Sequence, residues 1–172
     1  MKSNKSILIG IVLVLAAAFS RLIPHPMNFA PITAIALFGG MYFDKRFAPV
    51  LPFAALIISD YFLGFYDGIV WVYGSFLVVT MLGMFASNKK SIGVVAGSTF
   101  AGSFLFFLVT NFGVWQSGFM YPLTMNGLID CYIAALPFFR NAIAGDVFYV
   151  TVLFGVYELS MKYLPHTAAQ KV

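Results

Sequence analysis

The chain reads as a succession of apolar stretches broken by short polar or proline-containing links. Six stretches approach the roughly 20 mostly apolar residues that cross about 30 Å of hydrocarbon: Ile7–Ile23, Ala30–Phe43, Ala48–Tyr66, Ile69–Ser87, Ile92–Asn111 and Asn141–Leu159. This pattern predicts an all-α, polytopic membrane protein with six transmembrane helices in a single integral membrane domain over residues 1–172. The second stretch would extend only about 21 Å at 1.5 Å per residue, so it needs a thinned bilayer or a protein-covered environment at one end. A seventh apolar stretch, Thr124–Phe139, contains Asp130 and Pro137. It reads as an interfacial or re-entrant helix, which makes residues 112–140 a partly helical outer loop before helix 6.

Composition removes the soluble alternative. Of the 172 residues, 61% are hydrophobic and 9% charged, against about a quarter charged in soluble domains. Ten Lys and Arg oppose six Asp and Glu, but these charges are scattered between apolar runs and do not form a nucleic-acid-binding patch. Their distribution tests the topology, because Lys and Arg in short loops favour the cytoplasmic side. With both termini inside, Lys2, Lys5, Lys45, Arg46, Lys89, Lys90, Lys162 and Lys171 are cytoplasmic, and only Arg21 and Arg140 lie outside. Adding Asp44 and Glu158 to the inside gives +6, while Asp60, Asp67, Asp130 and Asp146 bring the outside to −2; together these make the +4 of the whole chain. The N-terminus has a rival reading, since Lys2, Lys5, the following apolar run and Ala16, Ala17 and Ala18 resemble a cleavable signal peptide.

Polar groups other than topology signals therefore gather in the outer half, which suits a pocket open to the outside and not a continuous polar path across the bilayer. Asp60 and Asp67 share a helix face if helix 3 continues past Gly64. Asp60 is expected either to pair with Arg21 or Arg140 or to meet a ligand directly. Arg140 and Asp146, six residues apart, point about 120° away from each other and face partners on other helices. Pro24, Pro26 and Pro31 make the link from Arg21 to Pro31 a stiff strap presenting His25 and Asn28. His25 is a ligand or metal contact, or an interfacial hydrogen-bonding histidine; Asn28 could instead cap helix 2. Trp71, Tyr73, Trp115 and Tyr121 form an aromatic belt or a stacking wall for a flat ligand. Gly93, Gly97 and Ala101 recur every four residues and permit close helix contact.

The chain carries no G-x-x-x-x-G-K-[ST], H-E-x-x-H or G-x-S-x-G motif. Cys131 is the lone cysteine, which excludes an intramolecular disulfide and a cysteine-built zinc site. Nothing brings it to His25 as a nucleophile with its base, so the protein is read as a non-enzyme without cofactor or metal.

The strings Arg21-Leu-Ile-Pro-His-Pro-Met-Asn-Phe-Ala-Pro31, Ala36-Leu-Phe-Gly-Gly40, Ile58-Ser-Asp-Tyr-Phe-Leu-Gly64, Thr110-Asn-Phe-Gly-Val-Trp115 and Pro137-Phe-Phe-Arg-Asn141 with Gly145-Asp146 resemble an uncharacterised family of small bacterial membrane proteins. In size and span pattern that family is similar to the substrate-binding S components of energy-coupling factor vitamin transporters. The resemblance implies six helices, cytoplasmic termini, an outward ligand pocket and location in the bacterial inner membrane. The strap and the short second helix also look like those of cobalamin-binding solitary S components, in which a cysteine can coordinate cobalt; Cys131 lies in a different segment. The leading expectation is a subunit that binds a small nutrient among Arg21, His25, Asn28, Asp60, Asn111, Trp115, Arg140 and Asp146. Residues 112–140 would be its lid, and an ATPase-containing module on other chains would energise it. The alternative is a non-transporting membrane scaffold whose outer polar cluster only holds the bundle together.

Overall fold

A computed structural model describes residues 4–163 and is all-helical; Lys2 and Lys171 lie outside the described residues. Its helices are α1 (Asn4–Ser20), α2 (Ile32–Tyr42), α3 (Val50–Leu63), α4 (Ile69–Ala86), α5 (Ile92–Gln116) and α6 (Met125–Tyr163). Three of them, α4, α5 and α6, are long and apolar enough to cross a membrane, while α1, α2 and α3 are shorter apolar helices. Large apolar side chains such as Phe85 and Ile92 are 84% and 90% exposed, as they are on surfaces solvated by lipid instead of water.

The helix ends follow local chemistry. Pro31 occupies the position before α2, where its fixed φ and missing N–H cost nothing. Gly64, at φ 93°, ends α3 in a conformation that a side chain would strain. That break leaves Asp67 exposed in the following link, so it does not share a helix face with Asp60. Ser91 caps α5 by accepting a hydrogen bond from the Val94 N–H at 3.3 Å.

The shortest helix is the centre of the bundle. Every residue of α2 from Ile32 to Tyr42 is buried, and α2 touches all five other helices. Its 11 residues extend only about 16 Å, and protein covers it along its whole length. The crossing with α4 is tight because two glycines face each other. A Cβ on Gly40 would lie 2.3 Å from the Thr80 carbonyl oxygen, and one on Gly83 would lie 2.7 Å from that of Leu37. Gly93 and Gly97 of α5 have no such neighbour, with nothing within 4 Å of either added Cβ. Within the chain, Gly93 and Gly97 thus do not form the expected close contact; on α5 that role falls to Gly102, against Thr33 and Val79, and to Gly113, against Trp71.

The end of the bundle also differs from expectation. Residues 112–140 are not an independent outer loop, and Thr124–Phe139 is not a separate re-entrant helix. Instead α5 continues to Gln116, a short link follows, and α6 runs unbroken for 39 residues through Pro137. Contacts with α5 support this first part of α6: the Tyr132 hydroxyl donates to the Leu108 carbonyl at 2.7 Å, and Phe107 meets the rings of Tyr132 and Phe139. Asp130 is exposed and adds no burial cost. Packing of this kind outweighs the single backbone hydrogen bond that a proline removes.

At the opposite end of the molecule from the Arg21–Pro31 link, Tyr42 donates to Glu158 while Lys90 lies over the Tyr42 ring, 4.3 Å from its centroid. Lys45, Arg46, Lys89 and Lys162 are exposed at the helix ends there.

Candidate functional site

The link from α1 to α2 cannot become helix, because Pro24 and Pro26 interrupt it. A turn closes at Pro26, whose carbonyl accepts from the Phe29 N–H at 3.0 Å. Asn28 takes φ 63° as the third residue of that turn, a left-handed position that Asn tolerates better than most residues. It does not cap α2, whose first turn receives no side-chain cap. The strap lies directly on α6, where a Cβ at Gly145 would approach Phe29 Cα to 3.0 Å and the Ala30 nitrogen to 3.2 Å. Glycine at this position lets the strap backbone seat beside Asp146.

Beneath the strap is a cavity of about 290 Å³, at the lower limit of volumes that hold drug-sized ligands. Arg21, His25 and Asn28 line it from the strap, Tyr66 from the α3–α4 link, and Thr33 and Asp146 from below. A smaller space of about 200 Å³ adjoins it, sharing Asn28, Val72, Phe106 and Ala142 and reaching Asn111. The Asn111 amide donates back to the Phe107 carbonyl of its own helix at 2.8 Å, and its backbone oxygen accepts from the buried Cys131 thiol at 3.4 Å.

Two polar constellations border the main cavity. In the first, Arg21 forms an ion pair with Asp60 at 2.9 Å, and the fully buried Asp60 also accepts from the Tyr73 hydroxyl at 3.0 Å. The Arg21–Asp60 contact is an ion pair without hydrogen-bond alignment at Oδ1. The same guanidinium donates to Ser59, which in turn donates to the Ala55 carbonyl at 2.6 Å. In the second, Ser103 of α5 donates to Asp146 at 2.6 Å, with Thr33 of α2 facing the same carboxyl group.

Of the eight expected binding residues, Arg21, His25, Asn28 and Asp146 line one cavity and Asn111 its neighbour; Asp60 reaches the wall through Arg21. Trp115 and Arg140 line neither cavity. The Trp115 indole donates to the Pro122 carbonyl at 3.1 Å, holding the α5–α6 link, and Arg140 is exposed. The other aromatic residues also have specific partners: Trp71 packs against Gly113, and Tyr73 serves Asp60. Sequence reasoning did not identify Ser59, Thr33 or Ser103, and it read Tyr73 as a belt or stacking residue where the structure makes it a donor to Asp60. Ser59 sits beside Asp60 in the chain, which was the one available signal; the other hydroxyls stand alone within apolar helices. Among the described residues no group of three or more His, Cys, Asp or Glu could hold a metal ion.

No curated protein and no solved structure matches the chain. The family model of DUF6580, a family of unknown function, matches residues 1–168, and the chain belongs to that family.

Proposed function

We propose that the protein is a substrate-binding integral membrane subunit for uptake of a small nutrient such as a vitamin. In this reading it resembles an S component of an energy-coupling factor transporter: six helices seat it in the bacterial inner membrane, both termini are cytoplasmic, and an ATPase-containing module on other chains energises it. The observation that carries the reading is the strap-covered cavity, on which Arg21, His25 and Asn28 of the strap and Asp146 of α6 converge. A few polar groups on a mainly apolar wall are the usual composition of a small-molecule site. The exposed Lys45, Arg46, Lys89 and Lys162 at the far end support the orientation. The sheltered α2 explains how a helix too short for the bilayer can belong to a six-helix membrane bundle.

A second reading, a non-transporting scaffold, draws on the pairing of Asp60 with Arg21 and Tyr73, which would hold helices together without any ligand. Native mass spectrometry and absorption spectroscopy of gently purified protein separate the two. The uptake reading expects a retained small molecule that is released on unfolding and raises the melting temperature when added back. It also expects ATPase subunits to co-purify. If neither ligand nor ATPase associates and a panel of vitamins leaves the melting temperature unchanged, the scaffold reading stands in its place.

A further inference from the structure

The two polar constellations beside the cavity differ in charge balance. Arg21 and Asp60 cancel each other. Asp146 is buried at 3% exposure, and its polar partners, Ser103 and Thr33, are neutral. Among the described residues no Lys, Arg or His lies within ion-pair distance of it. Arg21, the cation on the same cavity wall, is committed to Asp60 and Ser59. His25 is exposed, with Nδ1 2.9 Å from the Pro26 carbonyl oxygen. A carboxylate in so apolar a setting carries a large desolvation cost unless it takes up a proton or an opposite charge approaches it, and Asp146 lines the cavity from which such a charge could come.

We propose that Asp146 anchors a small organic monocation, a protonated amine carrying an apolar body, in the strap-covered cavity; this rests on the reading of that cavity as the substrate site. The remaining wall fits such a body. Phe76 and Phe106 stack with centroids 4.9 Å apart and both line the cavity, alongside Leu56 and Val72. Aromatic faces attract cations as well as apolar groups. An anionic ligand would be repelled by Asp146 and would find Arg21 already paired. A neutral ligand brings no counter-charge, so the carboxyl group would have to hold a proton instead.

The test is a panel of small aromatic and aliphatic amines, each matched with its isosteric alcohol and carboxylic acid, titrated into the full detergent-purified chain by calorimetry and thermal shift. The amines are expected to bind and to raise the melting temperature, with the paired alcohols and acids weaker by about tenfold or more, as for loss of a charge-assisted contact. Asp146→Asn is expected to abolish this preference, and Asp130→Asn, which removes an exposed carboxylate that lines neither cavity, to retain it. Should Asp146→Asn fail to fold, the charge series on the unaltered protein decides. An alcohol or acid that binds as well as its amine overturns the proposal, as does an Asp146→Asn protein that still prefers amines, or a panel in which no amine binds. A co-purified nutrient that is neutral or anionic overturns the cationic assignment and leaves the uptake reading standing. If no small molecule of any charge binds, both are lost.

Discussion

Arg21 and Asp60 show how a single pair serves both stability and a site wall. Asp60 is fully buried, so removing its partner leaves a charge in a low-dielectric interior, a loss of about 3–5 kcal/mol. Arg21→Met and Asp60→Leu are each expected to lower the melting temperature and folded yield sharply. The double variant should recover much of the loss, because two apolar side chains replace two charges that had to be desolvated together. Fluorescence-detected size exclusion and thermal melts in detergent read this cycle; singles that melt like the unaltered protein and lose only ligand would assign the pair to recognition instead. The charged members of the site were legible in the sequence, since an ionisable residue in an apolar stretch is costly and therefore informative. Their hydroxyl partners were not. A Ser or Thr within an apolar helix can satisfy itself on the preceding turn, as Thr80 does on the Phe76 carbonyl at 2.8 Å, so nothing in the chain distinguishes it from Ser103, which reaches Asp146. Trp115 and Arg140, expected in the outer loop, sit instead on α5 and α6 and line neither cavity.

At the scale of helices, apolar length located α1 to α5 closely, and proline and glycine marked where they stop. Small-residue spacing was less informative, because it describes a face without naming what covers it. Gly93 and Gly97 have the same kind of spacing that brings helices together elsewhere, yet open space surrounds both. Gly40 and Gly83, far apart in sequence, meet backbone directly. Gly83→Ala and Gly40→Ala are therefore expected to destabilise by about 2 kcal/mol or more, since the atoms in the way are backbone and cannot rotate aside. Gly97→Ala should be neutral or stabilise by up to about 1 kcal/mol through helix propensity. Comparing melting temperatures of the three variants checks this, and a Gly97 variant as unstable as the Gly83 variant would place an unseen neighbour on α5. The course of α6 was hidden for a related reason. Pro137 and Asp130 argue locally for a break, whereas the α5 surface that holds the first half of α6 is assembled from Leu108, Phe107 and Asn111 and exists only after folding.

For the whole molecule, length sets the problem that topology must solve. The 39 residues of α6 extend about 58 Å, nearly twice the hydrocarbon thickness, whereas α2 covers about 16 Å. A bundle of six crossings reconciles these if α2 is carried inside the protein and α6 extends past the bilayer on the strap side. Side-specific labelling tests this arrangement directly, and Cys131 allows it, because its burial at 2% exposure gives low background. Phe119→Cys places a thiol in the α5–α6 link, where the native side chain is 95% exposed; Lys45→Cys and Lys89→Cys place one in exposed links at the far end. In intact cells a membrane-impermeant maleimide is expected to label position 119 and to spare positions 45 and 89, with the pattern reversed in inside-out vesicles. The behaviour of position 45 carries the discrimination. If it labels together with 119 while 89 stays protected, α2 and α3 do not cross the membrane. If it follows 89, the helix too short for the bilayer lies within a bundle that crosses it, and the strap with its cavity faces outward.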